Sequence, residues 1–111
     1  MRLVMRHTAC KHYYVYIMAS RPHGVLYVGM TSTLAHRSWQ HREHVREGFT
    51  KRYWVDRLVY FEVHTDARTA AQRERAIKRW QRAWKIALIE KHNPTWRDLF
   101  AEVLAAEGFE C

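Results

Sequence analysis

The feature that most constrains the fold is a pair of short runs of aromatic and β-branched residues separated by a turn signal. Residues 12–19 and 25–30 have the composition of β-strands, and Pro22 and Gly24 between them favour a turn. A β-hairpin is therefore predicted. Gly29 near its end has no side chain and permits close approach of another backbone or a ligand. A third strand is predicted over residues 57–64, where apolar and polar residues partly alternate.

Helical signals follow the hairpin and the third strand. Capping residues, helical spacing and stop signals predict four helices: one that begins after Thr31, Ser32 or Thr33 and stops at Gly48, one from Asp66 or Thr69 through Trp80, one from about Arg82 to Lys91 before Asn93-Pro94, and one over residues 96–106. The predicted fold class is α+β, with a small three-stranded, mainly antiparallel sheet flanked by helices.

The bulk properties predict one small basic domain. A chain of 111 residues has enough surface to bury for a single core. Residues 1–11 are predicted to be a disordered lead-in, residues 12–100 the folded domain, and residues 101–111 a helix end and tail. No apolar run is as long as the ~18 residues of a membrane span, so no membrane association is expected. Cys10 and Cys111 lie at the two ends of the chain, which favours a reducing compartment and a cytoplasmic location.

The formal net charge of +8 favours a polyanionic partner. In the helical region 75–88, basic side chains follow one face and are predicted to contact nucleic acid or simply to face solvent: Arg75, Lys78, Arg79, Arg82 and Lys85. The opposite face is apolar and is predicted to join the core: Ile77, Trp80, Trp84 and Leu88.

Six polar residues along the chain have ordinary explanations when each is taken alone. Tyr16 and Tyr27 can be half-buried aromatics of the two hairpin strands. Arg37 and His41 stand four residues apart on one helix face and can be surface residues. Glu74 stands among arginines and can simply form a salt bridge. Asn93 before Pro94 can simply end a helix.

The ordered combination of these residues is more informative than any one of them. The series Tyr14-Val15-Tyr16, Tyr27-Val28-Gly29, Arg37 with His41, Glu74 and Asn93-Pro94 resembles the GIY-YIG nuclease superfamily over roughly residues 12–100. The tracts 49–53, 58–62, 73–80 and 93–99 are similar to its small single-domain bacterial branch, related to the N-terminal domain of the excinuclease C subunit. The first motif differs from the Gly-Ile-Tyr sequence that gives the family its name, since Tyr14-Val15 replace Gly-Ile. Every polar position is retained, so the resemblance implies an active enzyme.

The resemblance implies a divalent-metal-dependent endonuclease that hydrolyses phosphodiester bonds in DNA, in repair or processing. A single carboxylate, Glu74, can hold one Mg²⁺ or Mn²⁺ ion while water completes its coordination shell. Arg37 can stabilise the charge that develops on the phosphate oxygens. The remaining implied roles are a general base at Tyr27 assisted by His41, orientation of the nucleophile by Tyr16, and orientation of Glu74 by Asn93.

Two other readings remain open. A non-catalytic module that binds structured RNA or DNA would explain the charge equally well. A zinc protein is a weaker alternative that would use His36, His41, His44 or His92. For the nuclease, the substrate can be single-stranded, branched or unspecific duplex DNA, or RNA. The sequence carries no signal for oligomeric state.

Overall fold

The computed structural model describes residues 12–43 and 53–108, and its described strands form one antiparallel sheet. The strands are β1 (Tyr13–Ala19), β2 (Leu26–Thr31) and β3 (Arg57–His64), in the order β2-β1-β3. Each lies within one residue of its predicted bounds, and the α+β class is confirmed. The central strand β1 is flanked on both sides, so its backbone is satisfied and six of its seven residues are buried.

Within these two described ranges, four helices pack on the sheet: α1 (Leu34–Arg42), α2 (Ala67–Arg79), α3 (Arg82–His92) and α4 (Phe100–Gly108). Asp66 begins α2, because its carboxylate accepts hydrogen bonds from the Thr69 backbone N–H and hydroxyl, both at 2.9 Å. Thr33 occupies the position before α1, but its side chain makes no capping bond. Helix α1 ends at Arg42 with Glu43 as its C-cap, which is earlier than the predicted stop at Gly48. Gly48 itself, the lead-in 1–11 and both cysteines lie outside the described residues.

The last helix begins four residues later than predicted. Trp96 has a backbone φ of 59°, a left-handed conformation that no right-handed helix contains. Asp98 then accepts a hydrogen bond from the backbone N–H of Phe100 at 3.1 Å and from that of Leu58 at 3.3 Å. The segment before α4 is therefore an anchored turn. The helix itself begins at Phe100, and its residue Val103 is buried in the core.

Strand alternation divides the core into two layers. On one face of the sheet, Val15 and Ile17 pack with residues of α2 and α3. On the other face, Tyr14, Tyr16 and Met18 pack with residues of α1 and α4. Helices therefore cover both faces of β1, and side chains from the two layers can meet only around the outer strands. Within the described residues, no helix has the length and apolar character needed to cross a membrane.

Candidate active site

The side chain of Tyr16 crosses the neighbouring strand at a glycine. Tyr16 lies opposite Gly29 in the β1–β2 register. A Cβ atom added to Gly29 would lie 2.5 Å from the Tyr16 hydroxyl oxygen and 2.6 Å from its Cζ atom. Any side chain at this position would displace the tyrosine ring. The close approach that Gly29 permits is therefore that of Tyr16, whose hydroxyl reaches the β2 side of the sheet.

Tyr16, Tyr27 and His41 form a compact group at this position. The Tyr16 hydroxyl and the His41 Nε2 atom are hydrogen-bonded at 3.2 Å, and both side chains are buried. The ring of Tyr27 lies 5.4 Å from that of His41 and 6.3 Å from that of Tyr16, measured between centroids. Tyr27 is only half-buried. One tyrosine of the group is thus enclosed, and the other borders solvent.

Arg37 reaches the same group from α1, one helical turn before His41. Burial raises the pKa of Tyr16 to about 12, with a further contribution from Tyr27, while the charge and a hydrogen bond of Arg37 act in the opposite direction. The Arg37 Nη1 atom also donates a hydrogen bond to the Gln40 side-chain oxygen at 3.2 Å. A guanidinium is therefore held beside the buried phenol.

Glu74 approaches this group from α2, on the other layer of the protein. After burial and Tyr27, the negative charge of Glu74 is a further cause of the raised pKa of Tyr16, so the two side chains interact electrostatically. Glu74 is ion-paired with Lys78, one turn later in the helix, at 3.0 Å. Lys78 in turn lines a cavity of about 270 Å³ together with Tyr27. Five of the six predicted residues therefore converge at the β2 side of the sheet.

Asn93 is not part of this group. Its side-chain N–H groups donate to the backbone oxygens of Val59 at 3.0 Å and Arg97 at 2.9 Å, and its oxygen accepts from the Arg97 N–H at 3.2 Å. These bonds hold the turn after α3 against β3, at the opposite edge of the sheet from β2. Asn93 does more than end a helix, and its orientation of Glu74 stays a prediction.

Comparison with known proteins agrees with this arrangement. The sequence model of the GIY-YIG catalytic domain matches residues 12–87. The chain belongs to the GIY-YIG family. The solution NMR structure of a UPF0213 protein from Bacillus halodurans is similar in fold, with a TM-score of 0.50 and 23% sequence identity over 78% of this chain and 92% of that one. No curated protein matches the chain significantly.

Membership of the GIY-YIG family identifies the chain as a small nuclease, a hydrolase of phosphodiester bonds in nucleic acid. GIY-YIG nucleases generally depend on a divalent metal ion. Glu74 is suited to bind a hard cation, because its carboxylate is partly exposed and is ion-paired with the exposed side chain of Lys78. Among the residues that the structure describes, no cluster of three or more His, Cys, Asp or Glu side chains could hold a metal ion.

The histidines of the zinc reading are dispersed in this GIY-YIG domain. His41 is bound to Tyr16, His36 stacks on Trp39, and His92 packs on Tyr60. His44 lies outside the described residues. The histidines that are described thus have separate packing roles.

The predicted basic face is divided by the break between α2 and α3. Arg82 donates hydrogen bonds to the backbone oxygens of His23 at 2.5 Å and Gly24 at 2.7 Å, so it stabilises the β1–β2 turn. Lys78 and Lys85 line the cavity beside Tyr27. The two remaining members, Arg75 and Arg79, are exposed on α2.

The opposite, apolar face differs from the prediction at one position. Ile77 is fully buried and Trp80 is partly buried, as expected for core residues. Trp84 is 55% exposed and contacts the edge of Trp80 with 6.2 Å between ring centroids. The assignment of Trp84 to the core was wrong, because the break after α2 turns α3 and changes which of its residues face the sheet.

One residue that supports the site, Asp98, lies in the family-like tract 93–99 but was assigned no role from the sequence. Asp98 is ion-paired with Arg42 in the last turn of α1, and it also accepts hydrogen bonds from backbone groups at the starts of β3 and α4. The Arg42 guanidinium lies 4.6 Å from the Phe100 ring centroid. Asp98 therefore fixes the helix that carries Arg37 and His41. Only the tertiary contact identifies this role.

Proposed function

We propose that the chain is a divalent-metal-dependent endonuclease that cuts DNA with one metal ion and Tyr27 as the general base. The observation that carries this proposal is the convergence of two tyrosines, an arginine, a histidine and one carboxylate at the β2 side of the sheet. Together they provide a metal ligand, an anion-binding group and proton-transfer groups. These are the functions that water-driven cleavage of a phosphodiester requires.

The first requirement is to lower the negative charge of the phosphate. Glu74 would hold a Mg²⁺ or Mn²⁺ ion, which when bound polarises the phosphate oxygens and neutralises charge on the leaving oxygen. Arg37 offers a planar fork of N–H donors to the non-bridging oxygens. Its hydrogen bond to Gln40 restricts the side chain before the substrate arrives. Such a preoriented donor stabilises the transition state without a reorganisation cost.

The second requirement is a group that takes a proton from water. Tyr16 is poorly suited, because it is 1% exposed and its pKa is raised to about 12, chiefly by burial. It retains its proton and orients the nucleophile through the hydroxyl that contacts His41. Tyr27 is half-buried beside the cavity, where water can reach it. We therefore assign the base to Tyr27, assisted by His41.

The substrate and its biological setting follow from charge and family. A net charge of +8 supports a nucleic-acid substrate, with Arg75 and Arg79 as exposed contacts to its backbone. We propose DNA in single-stranded, branched or unspecific duplex form, processed or repaired in the cytoplasm, with RNA as the alternative. The basic face and exposed Trp84 also suit a module that only binds nucleic acid.

A cleavage panel distinguishes the enzyme from the binding module. Labelled single-strand, duplex, flap and junction DNAs and an RNA are incubated with the protein in Mg²⁺, in Mn²⁺ and in chelator. We expect metal-dependent cuts that Glu74→Ala abolishes while binding is retained. Glu102→Ala is the matched control, since this exposed glutamate of α4 pairs with Arg97, which precedes the helix. Binding without cleavage of every substrate would support the module instead.

A further inference from the structure

The cavity beside Tyr27 has the composition of a second phosphate site. It is about 270 Å³ in volume and is lined by apolar side chains of β2 and by two cationic side chains of the helices: Leu26, Tyr27, Val28, Lys78 and Lys85. The Nζ atom of Lys85 donates to the backbone oxygen of Lys78 at 3.3 Å, which holds the two lysines close together. Two ammonium groups beside the proposed base are complementary to the phosphodiester next to the one that is cut.

The two lysines differ in their other contacts. Lys78 is ion-paired with Glu74, the proposed metal ligand, and its side chain is 51% exposed. The hydrogen bond shown for Lys85 goes to a neutral backbone oxygen. A divalent cation on Glu74 would repel the ammonium group of Lys78, which lies 3.0 Å from one oxygen of that carboxylate. An ion pair between an exposed lysine and a partly exposed glutamate four residues apart in a helix is weak, so a divalent cation can displace the lysine.

We infer that Lys78 is an exchangeable counterion that couples metal binding to substrate binding. Without metal, it neutralises Glu74. With metal on Glu74, its ammonium group turns to the cavity and binds a phosphate of the substrate strand. This inference rests on the proposed function, because it takes Glu74 as the metal ligand. It adds a positioning residue and a coupling in which a bound metal ion strengthens binding of the strand. By linkage, the strand then also tightens metal binding.

The test compares the effect of charge removal with and without a cation. Fluorescence anisotropy measures binding of a labelled DNA duplex with a single-stranded tail, in Ca²⁺, chosen so that the strand stays uncut, and in chelator. We expect Lys78→Met to weaken binding by about two- to fivefold more in Ca²⁺ than in chelator, as for the release of one exposed ion pair. Lys85→Met should weaken binding by the same factor in both, and Arg79→Met, one residue beyond Lys78, should do likewise.

A second measurement reports on the metal alone. Calorimetric titration with Mn²⁺ in the absence of DNA should show tighter binding to Lys78→Met than to wild type, by up to about fivefold, because a competing cation is removed. Arg79→Met controls for the general loss of positive charge. Equal effects of Lys78→Met in Ca²⁺ and in chelator, with unchanged Mn²⁺ affinity, would overturn the inference. A wild-type protein that binds no Mn²⁺, or binds it equally after Glu74→Ala, would instead overturn the proposed function.

Discussion

The two edges of the sheet carry clusters of the same residue types. The clusters differ in how many hydrogen bonds the protein itself gives to the glutamate in each. At the β3 edge, Glu62 accepts hydrogen bonds from Tyr60 at 2.5 Å and from Arg73 at 2.8 and 3.2 Å, and pairs with His64 at 2.8 Å. At the β2 edge, Glu74 is paired with an exposed lysine beside a cavity. A tyrosine, a histidine, an arginine and a glutamate occur in both places.

The difference arises from one helix. Arg73 and Glu74 are consecutive in α2, and successive helical side chains diverge by about 100°. Arg73 therefore completes the closed network on β3, while Glu74 is directed to the open group on β2. A carboxylate that already accepts several bonds from its own protein has little capacity for a metal ion. The number of hydrogen bonds that the carboxylate accepts from its own protein, and not the residue type, separates the structural cluster from the candidate active site.

The largest expected contrast is between the two carboxylates. Glu74→Gln removes the proposed metal ligand and should lower the cleavage rate at least about 10³-fold, the effect of several kcal/mol of lost charge stabilisation. Glu62→Gln should leave the rate within about threefold but lower the free energy of unfolding by about 1.5–3 kcal/mol, because charge-assisted hydrogen bonds are lost. Single-turnover cleavage and urea denaturation measure the two effects. Equal rates for both variants would remove the distinction between the edges.

The two tyrosines should separate in the same way. Tyr27→Phe keeps the ring and removes the proton-accepting oxygen, so we expect a rate loss of about 10²–10⁴-fold, typical of a missing general base. Tyr60→Phe removes the hydrogen bond to Glu62 and should change stability only, by about 1 kcal/mol. Circular dichroism of both variants controls for folding. A fully active Tyr27→Phe enzyme would leave His41 or a metal-bound water to supply the base.

Gly29→Ala tests whether the path of Tyr16 matters. The added methyl group would lie 2.5 Å from the Tyr16 hydroxyl oxygen, so the ring must move. A displacement of about 1 Å can cost about 10²-fold in rate, and we expect a loss of that size with 1–3 kcal/mol of destabilisation. Cleavage assays and thermal unfolding provide the measurements. Wild-type activity in this variant would show that Tyr16 does not need its crossing position.

Alkaline pH should weaken both edges. Burial raises the pKa of Tyr16 to about 12 and, with the bond to Glu62, raises that of Tyr60 to about 12, from 10 in the unfolded chain. Because the unfolded state loses these protons first, the stability they provide is complete below pH 10 and falls as the pH rises towards 12. For Tyr16 the loss is about 2–3 kcal/mol. Urea titrations at pH 9 to 11 should show the first part of this fall, and a smaller fall in Tyr60→Phe would identify the β3 share.

Acid should give the smallest effect, through Glu62 at the β3 edge. Burial of Glu62 tends to raise its pKa, but hydrogen bonds from Arg73, Tyr60 and His64 together hold that pKa below the ordinary 4.5. The resulting stability is present above pH 4.5 and is lost as the pH falls through the pKa of the folded state. Glu62→Gln should therefore show a flatter acid limb in urea titrations. An acid limb identical to that of wild type would contradict this assignment.

Local signals account well for the elements and poorly for their ends and contacts. The strands were predicted within one residue, because aromatic and β-branched runs bounded by turn residues are unambiguous over short distances. The start of α4 was wrong, because Asp98 and the left-handed Trp96 are fixed by contacts with a distant strand. Trp84 was wrongly assigned to the core for a similar reason, since the spacing of apolar residues along α2 and α3 does not determine the angle between the two helices.

The candidate site shows the same division. The order of six residues along the chain indicated a GIY-YIG nuclease, and the family comparison confirms the family: Tyr16, Tyr27, Arg37, His41, Glu74 and Asn93. It could not show that Asn93 is bound to backbone groups at the other edge, or that Lys78 is shared between Glu74 and the cavity. Both facts depend on pairs of residues brought together by packing.

The sequence by itself determined the fold class, the strands, the family and the residue types available for chemistry, because these depend on local pattern and order. Only the tertiary structure decided which glutamate is open to a cation and which tyrosine is enclosed. That choice depends on burial and on hydrogen bonds between residues far apart in the chain. It is made where α2 directs Arg73 and Glu74 to opposite edges of one sheet.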